Sequence, residues 1–134
     1  MAEDSARPTR VLVVDDEPSP RAFVARVLGE AGYAVDTAAS GLDALSIVEH
    51  EGTFNLFVID VTMPEMVGYE LARQLRQREP GAKVMYFTGY AAGHLQEKHL
   101  LWEDETFLEK PVTVAGLRDA VSLLLFDNTH GPAQ

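Results

Sequence analysis

No cysteine occurs in the 134 residues, so disulfides, thiolate metal sites and thiol catalysis are excluded. Basic residues are few: 11 Lys and Arg stand against 21 Asp and Glu, for a net charge of −10. A surface of that sign is repelled by phosphate backbones, which argues against direct nucleic-acid binding. No apolar run approaches the roughly 20 residues a helix needs to span a bilayer. Residues 1–10 are polar, without the apolar core of a signal peptide. The expectation is a cytoplasmic protein with no membrane contact. Glycine-rich phosphate loops are missing as well. Neither Gly-x-Gly-x-x-Gly nor Gly-Lys-Ser/Thr is present, which disfavours dinucleotide-binding and P-loop enzymes.

What is present is globular material, 46% hydrophobic and 24% charged, in a length suited to one domain. The rest of the chain converges on Leu56-Phe57-Val58-Ile59-Asp60-Val61-Thr62-Met63-Pro64. Its unbroken apolar residues, with Val, Ile and Phe, predict a strand buried on both faces. Pro64 and Gly68 predict the loop that follows. Residues 10–14 predict a first strand, ending at Asp15-Asp16-Glu17. Pro18 and Pro20 then open a helix with Phe23, Val27, Leu28 and Ala31 on its apolar face and Gly32 at its C′ stop. Residues 33–38 predict a second strand, alternating at Val35 and Thr37. Ser40 caps a second helix, faced by Leu42, Ala44, Leu45, Ile47 and Val48 and ended by Gly52. Tyr69, Leu71, Ala72 and Leu75 mark a third helix, stopped at Pro80-Gly81. A fourth strand over 83–87 ends at Thr88-Gly89, and a weaker helix containing Gly93 covers 91–101. A fifth strand over 106–109 ends at Lys110-Pro111. Thr113 caps the last helix, with the stripe Val114, Leu117, Val121 and Leu124. Residues 1–9 read as a flexible leader and 127–134 as a flexible tail, around one domain of residues 10–126.

Five strands alternating with five helices predict an α/β domain on a parallel sheet with right-handed crossovers. Asp15-Asp16, Asp60, Thr88 and Lys110 each stand just past the carboxyl end of a strand. In a parallel sheet those ends share one edge, where such folds keep their ligand sites. Three carboxylates gathered there stay ionised together only around a cation. Oxygen ligands without Cys or His suit a hard ion, Mg²⁺ or Mn²⁺, and a phosphoryl group would complete its coordination. In that chemistry Asp60 is a nucleophile that forms an acyl phosphate. Lys110 places positive charge beside the phosphoryl oxygens, and the Thr88 hydroxyl donates a hydrogen bond to one of them.

The runs Val13-Val14-Asp15-Asp16-Glu17, Asp60-Val61-Thr62-Met63-Pro64-Glu65-Met66-Val67-Gly68, Thr88-Gly89 and Phe107-Leu108-Glu109-Lys110-Pro111 resemble the receiver domain of two-component response regulators. The resemblance implies a flavodoxin-like (βα)5 three-layer sandwich with a parallel five-stranded sheet in the order 2-1-3-4-5. It implies a phosphorylation-dependent signalling switch that catalyses only its own phosphorylation and dephosphorylation. The implied donor is a sensor histidine kinase or histidine phosphotransfer protein. The implied output is a downstream protein reached through the face of the fourth helix, fifth strand and last helix. By the same resemblance Asp60 is the phosphoacceptor, Asp16 the direct metal ligand and Asp15 a ligand through water. Thr62 supplies a backbone carbonyl to the metal, and Lys110 contacts the phosphoryl group. Thr88 is the switch hydroxyl and Phe107 the switch aromatic. Gly89 stays small beside the phosphoryl group, and Thr62 and Tyr90 tune dephosphorylation. Where many receivers carry Gly-Ala before the fifth strand, this chain reads Leu101-Trp102-Glu103-Asp104-Glu105.

Taken singly, these residues have plainer readings. Asp15-Asp16 fit a pair of acids at a helix N-terminus, Thr88 a turn, Phe107 a core side chain and Lys110 a loop start. His94 and His99 read as solvated helix residues, and Trp102 as packing. The competing function is a metal-dependent phosphatase of the haloacid dehalogenase type. Those enzymes carry Asp-x-Asp-x-Thr after a strand, whereas here the acids are adjacent. A third reading, a receiver that binds partners without being phosphorylated, sits poorly with the complete set of acids and lysine. A stand-alone receiver and the receiver of a hybrid histidine kinase both remain open.

Overall fold

In a computed structural model, residues 9–61, 68–88, 105–109 and 113–126 are described, with the backbone alone at Tyr69, Thr88, Glu105, Phe107 and Glu109. The elements in chain order are β1 (Arg10–Val14), α1 (Pro18–Glu30), β2 (Ala34–Ala38), α2 (Gly41–Glu51), β3 (Leu56–Asp60), α3 (Gly68–Arg78), β4 (Lys83–Thr88), β5 (Glu105–Glu109) and α4 (Val114–Phe126). All strand pairings are parallel, in the order β2-β1-β3-β4-β5, as the resemblance implied. The helix expected over 91–101 lies outside the described residues, as do residues 1–8 and the tail. Thr9, expected in the leader, accepts a hydrogen bond from the Ala34 N–H at 2.9 Å.

The central strands do not alternate in polarity because both faces are covered; they alternate in which layer they meet. Leu12, Val14, Phe57, Ile59, Val84 and Tyr86 pack with Ala44 and Val48 of α2 and Leu71, Ala72 and Leu75 of α3. Val11, Val13, Leu56, Val58, Met85 and Phe87 pack on the opposite face with Val24, Val27 and Leu28 of α1 and Leu117, Val121 and Leu124 of α4. The result is a three-layer sandwich. β2 lies on one side of β1 and β3 on the other, so the winding reverses between β1 and β3.

Local signals set the helix ends. The Ser40 hydroxyl accepts from the Asp43 N–H at 3.1 Å, and the Thr113 hydroxyl from the Gly116 N–H at 2.9 Å. Gly32 closes α1 at φ 105°, with its N–H on Gly29 O and the Tyr33 N–H on Leu28 O, both at 3.1 Å. This is the Schellman arrangement, in which a left-handed glycine follows the last helical residue. It also explains why β2 starts at Ala34 and not at Tyr33: the Tyr33 amide belongs to the helix cap. Its ring stacks on Phe126 at the end of α4, with centroids 6.5 Å apart.

Three residues placed on apolar faces lie outside the core. Phe23 is 36% exposed, Leu42 64% and Val114 50%. Val24 takes the place expected for Phe23. Leu42 sits about 200° around the helix from buried Ala44, and Val114 is the first residue of α4. In β2 the predicted alternation is absent. Ala34 and Val35 are half-buried, Asp36 and Thr37 exposed and Ala38 buried, because β2 is an edge strand.

Arg10 ties the amino edge of the sheet together. Its guanidinium lies 4.2 Å from the centroid of the Phe54 ring and donates to the carbonyls of Glu51 at 3.1 Å and Thr53 at 3.0 Å. It also pairs with Asp36 at 3.3 Å. The ion pair is half-exposed and contributes little; the carbonyl bonds and the ring contact contribute more. Arg10→Met is expected to lower stability by about 1–2 kcal/mol, read as a shift of the urea midpoint with unchanged slope. Asp36→Ala is expected to move it far less.

Candidate functional site

Val14 of β1 pairs with Ile59 of β3, so the next residues, Asp15 and Asp60, leave neighbouring strands side by side. The Asp15 N–H donates to Ala38 O at 3.1 Å, which carries the β1–β2 ladder one residue further. The chain then turns sharply. Asp15 Oδ1 accepts from the Glu17 N–H at 3.0 Å, and the Asp15 carbonyl accepts from Arg21 Nη1 at 2.8 Å. Asp16 thereby reaches the same rim.

The β3 side is held as firmly. Asp60 pairs with Phe87, and the Val61 N–H donates to Phe87 O at 3.0 Å. The Gly68 N–H donates to Val61 O at 2.9 Å. A Cβ on Gly68 would lie 2.7 Å from Asp60 O and 2.9 Å from Val61 Cα. Gly68 is needed for close approach, so that α3 begins against the backbone that carries Asp60. Its sequence signal was a glycine opening a helix, where propensity disfavours it; the loop reading passed over that cost. Arg21 is the other residue missed, since nothing local distinguishes it from any helix-surface arginine.

Asp15, Asp16 and Asp60 each offer a carboxylate oxygen, and these oxygens all lie within 4.8 Å of one another. Asp15 is 3% and Asp60 5% exposed, while Asp16 is half-buried. Glu17, third in the acidic run, points its side chain to solvent and contributes its amide instead. Each pair of charges at this spacing repels by roughly 3 kcal/mol at an effective dielectric of about 20. A divalent cation reverses the sign of that term. The donors are hard oxygens on two rigid strand ends, and they fit Mg²⁺, which binds through few carboxylates. Lys110, Thr62, Gly89 and Tyr90 lie outside the described residues. Thr88 and Phe107 are described by backbone alone, Thr88 paired with Glu109 and Phe107 with Tyr86.

The fold and the acid cluster define an α/β domain with three carboxylates, of a kind that suits a divalent cation, where its sheet reverses its winding. The chain belongs to the response regulator receiver domains, whose family model matches residues 11–122. It is 34% identical over 116 residues to the response regulator receiver protein CpdR of Brucella abortus, covering 87% of this chain and 96% of that one. It is 37% identical over 125 residues to the sensor kinase CckA of the same organism, covering 92% of this chain but 13% of the kinase. Among solved structures, the response regulator TrrA of Thermotoga maritima, in complex with Mg²⁺ and BeF, is 33% identical with a TM-score of 0.76, over 87% of this chain and 99% of that one. The family match selects the receiver over the phosphatase reading: the domain is a phosphorylation-dependent signalling switch of two-component systems. No helix among the described residues is long and apolar enough to cross a membrane.

Two outcomes are expected. With divalent ions chelated, Asp16→Asn stabilises the protein by about 1–2 kcal/mol, because it relieves repulsion; urea unfolding with and without Mg²⁺ should show the stabilisation by Mg²⁺ diminish in the same variant. Gly68→Ala is expected to cost about 1–3 kcal/mol, since the added methyl meets backbone that cannot give way, and thermal unfolding measures it.

Proposed function

We propose that Asp60 accepts a phosphoryl group from the phosphohistidine of a sensor histidine kinase or histidine phosphotransfer protein, and that the domain relays the change to a downstream protein. The convergence of the Asp15, Asp16 and Asp60 carboxylates beside the winding reversal carries this reading. In the transfer the P–N bond of the donor breaks, the imidazole keeps its electron pair, and a P–O bond forms to an Asp60 oxygen. Held by Asp15, Asp16, Asp60 and the Thr62 carbonyl, Mg²⁺, or Mn²⁺ in its place, supplies neutralisation of the charge spread over the phosphoryl oxygens. The Mg²⁺ and BeF bound in TrrA support this assignment of the acids.

Lys110 follows β5 and Thr88 ends β4, and these two strands are paired with Thr88 opposite Glu109. That placement supports Lys110 as the countercharge to the phosphoryl group and Thr88 as the hydroxyl that follows it. Thr88 and Phe107 together form the two-state element, and phosphate biases it toward the state that a partner recognises. Thr62, Gly89 and Tyr90 border the phosphoryl group and set its lifetime. Relatives of both architectures, the receiver protein CpdR and the sensor kinase CckA, support phosphorelay from a histidine donor in either setting.

Asp60→Asn is expected to reduce labelling by acetyl phosphate with Mg²⁺ to background, scored by mass of the intact protein. Stoichiometric labelling of that variant would remove Asp60 from the role.

A further inference from the structure

The turn that delivers Asp15 and Asp16 is built on an unusual helix start. α1 opens Pro18-Ser19-Pro20, so two of its first three residues have no N–H and have φ fixed near −65° by the ring. Glu17, at the N-cap, makes no side-chain cap; its amide serves Asp15 Oδ1. The Arg21 amide donates to Glu17 O at 3.2 Å. This first turn is stiff, and the residue it presents next is Arg21. The guanidinium does not meet a carboxylate through the bond described. It turns back and donates Nη1 to the backbone carbonyl of Asp15 at 2.8 Å, in a partly buried position.

That carbonyl belongs to the peptide plane joining Asp15 to Asp16. Because the peptide is planar, holding its oxygen also fixes the direction in which the Asp16 N–Cα bond leaves. One tie therefore sets ψ of Asp15 and constrains Asp16. We infer that Arg21 is a positioning residue for the cation site: from the first turn of α1 it holds the Asp15–Asp16 peptide so that both carboxylates face Asp60. The inference rests on the proposal that this cluster binds Mg²⁺.

Charge and position act in opposite directions here. A guanidinium near the cluster repels a divalent cation, so removing it for charge alone tightens Mg²⁺ binding. Removing a tie that orients the ligands weakens it. The sign of the change separates the two roles.

The experiment is calorimetric titration of Mg²⁺ into the full chain, with circular dichroism to confirm folding. Arg21→Gln is expected to weaken binding about tenfold, the low end for loss of a group that orients metal ligands. Arg21→Lys keeps the charge with a less directional donor and weakens it about threefold. Arg26→Gln removes the same charge from the same helix at a site where the arginine is 79% exposed and pairs with Glu30; it leaves affinity unchanged or slightly tighter. Equal or tighter binding by Arg21→Gln overturns the inference. If that variant does not fold, unchanged affinity in Arg21→Lys overturns it instead. Wild-type protein that binds no Mg²⁺ would overturn the metal assignment itself, and that arm keeps the two failures apart.

Discussion

Three carboxylates of one sign, each with an oxygen within 4.8 Å of the others, are the constraint around which this domain is built. Their repulsion would drive the strand ends apart unless the surrounding backbone resisted it. The resistance comes from continuous parallel ladders through β1, β3 and β4, buried on both faces. It also comes from backbone bonds that continue past the strand ends, Asp15 to Ala38 on one side and Val61 to Phe87 on the other. A cluster assembled this way has the donor chemistry that suits a hard divalent cation. Gathered carboxylates of one sign favour a cation between them.

Function and stability are divided between the two edges of the sheet. At the amino edge the devices stabilise: Arg10 over Phe54, with its carbonyl partners, and Tyr33 stacked on Phe126. At the carboxyl edge the backbone is tied by groups that serve the acids: the Glu17 amide, the Arg21 guanidinium and the close approach of Gly68. The two helical layers carry this division through the molecule. α1 and α4 share one apolar layer and α2 and α3 the other, and the acid cluster lies where the crossovers change sides.

The same domain occurs in proteins of different size. It is similar to nearly the whole of CpdR and to a small part of CckA. This suits a phosphorylation-dependent switch that serves as a module in proteins of different architecture.

Much of this was legible in the sequence for a physical reason. Strands buried on both faces leave unbroken apolar runs, and a polar residue at the end of such a run must face an edge. Asp15, Asp16 and Asp60 announce themselves in that way, as do the Ser40 and Thr113 caps and the Gly32 stop, all of which act within a few residues. Relations between distant segments were not legible. Phe23 looked like core because it has helical spacing, yet burial depends on which angle of the helix meets the sheet, and Val24 meets it. Gly68 looked like loop because its reason is the backbone of Asp60, eight residues earlier but in contact. Arg21 carried no mark because its partner is a carbonyl, which every residue has. The sequence by itself determined which groups stand at strand ends, since periodicity and capping are local. Only the tertiary structure decided which of them touch and what holds them there, since those contacts depend on how separate segments pack.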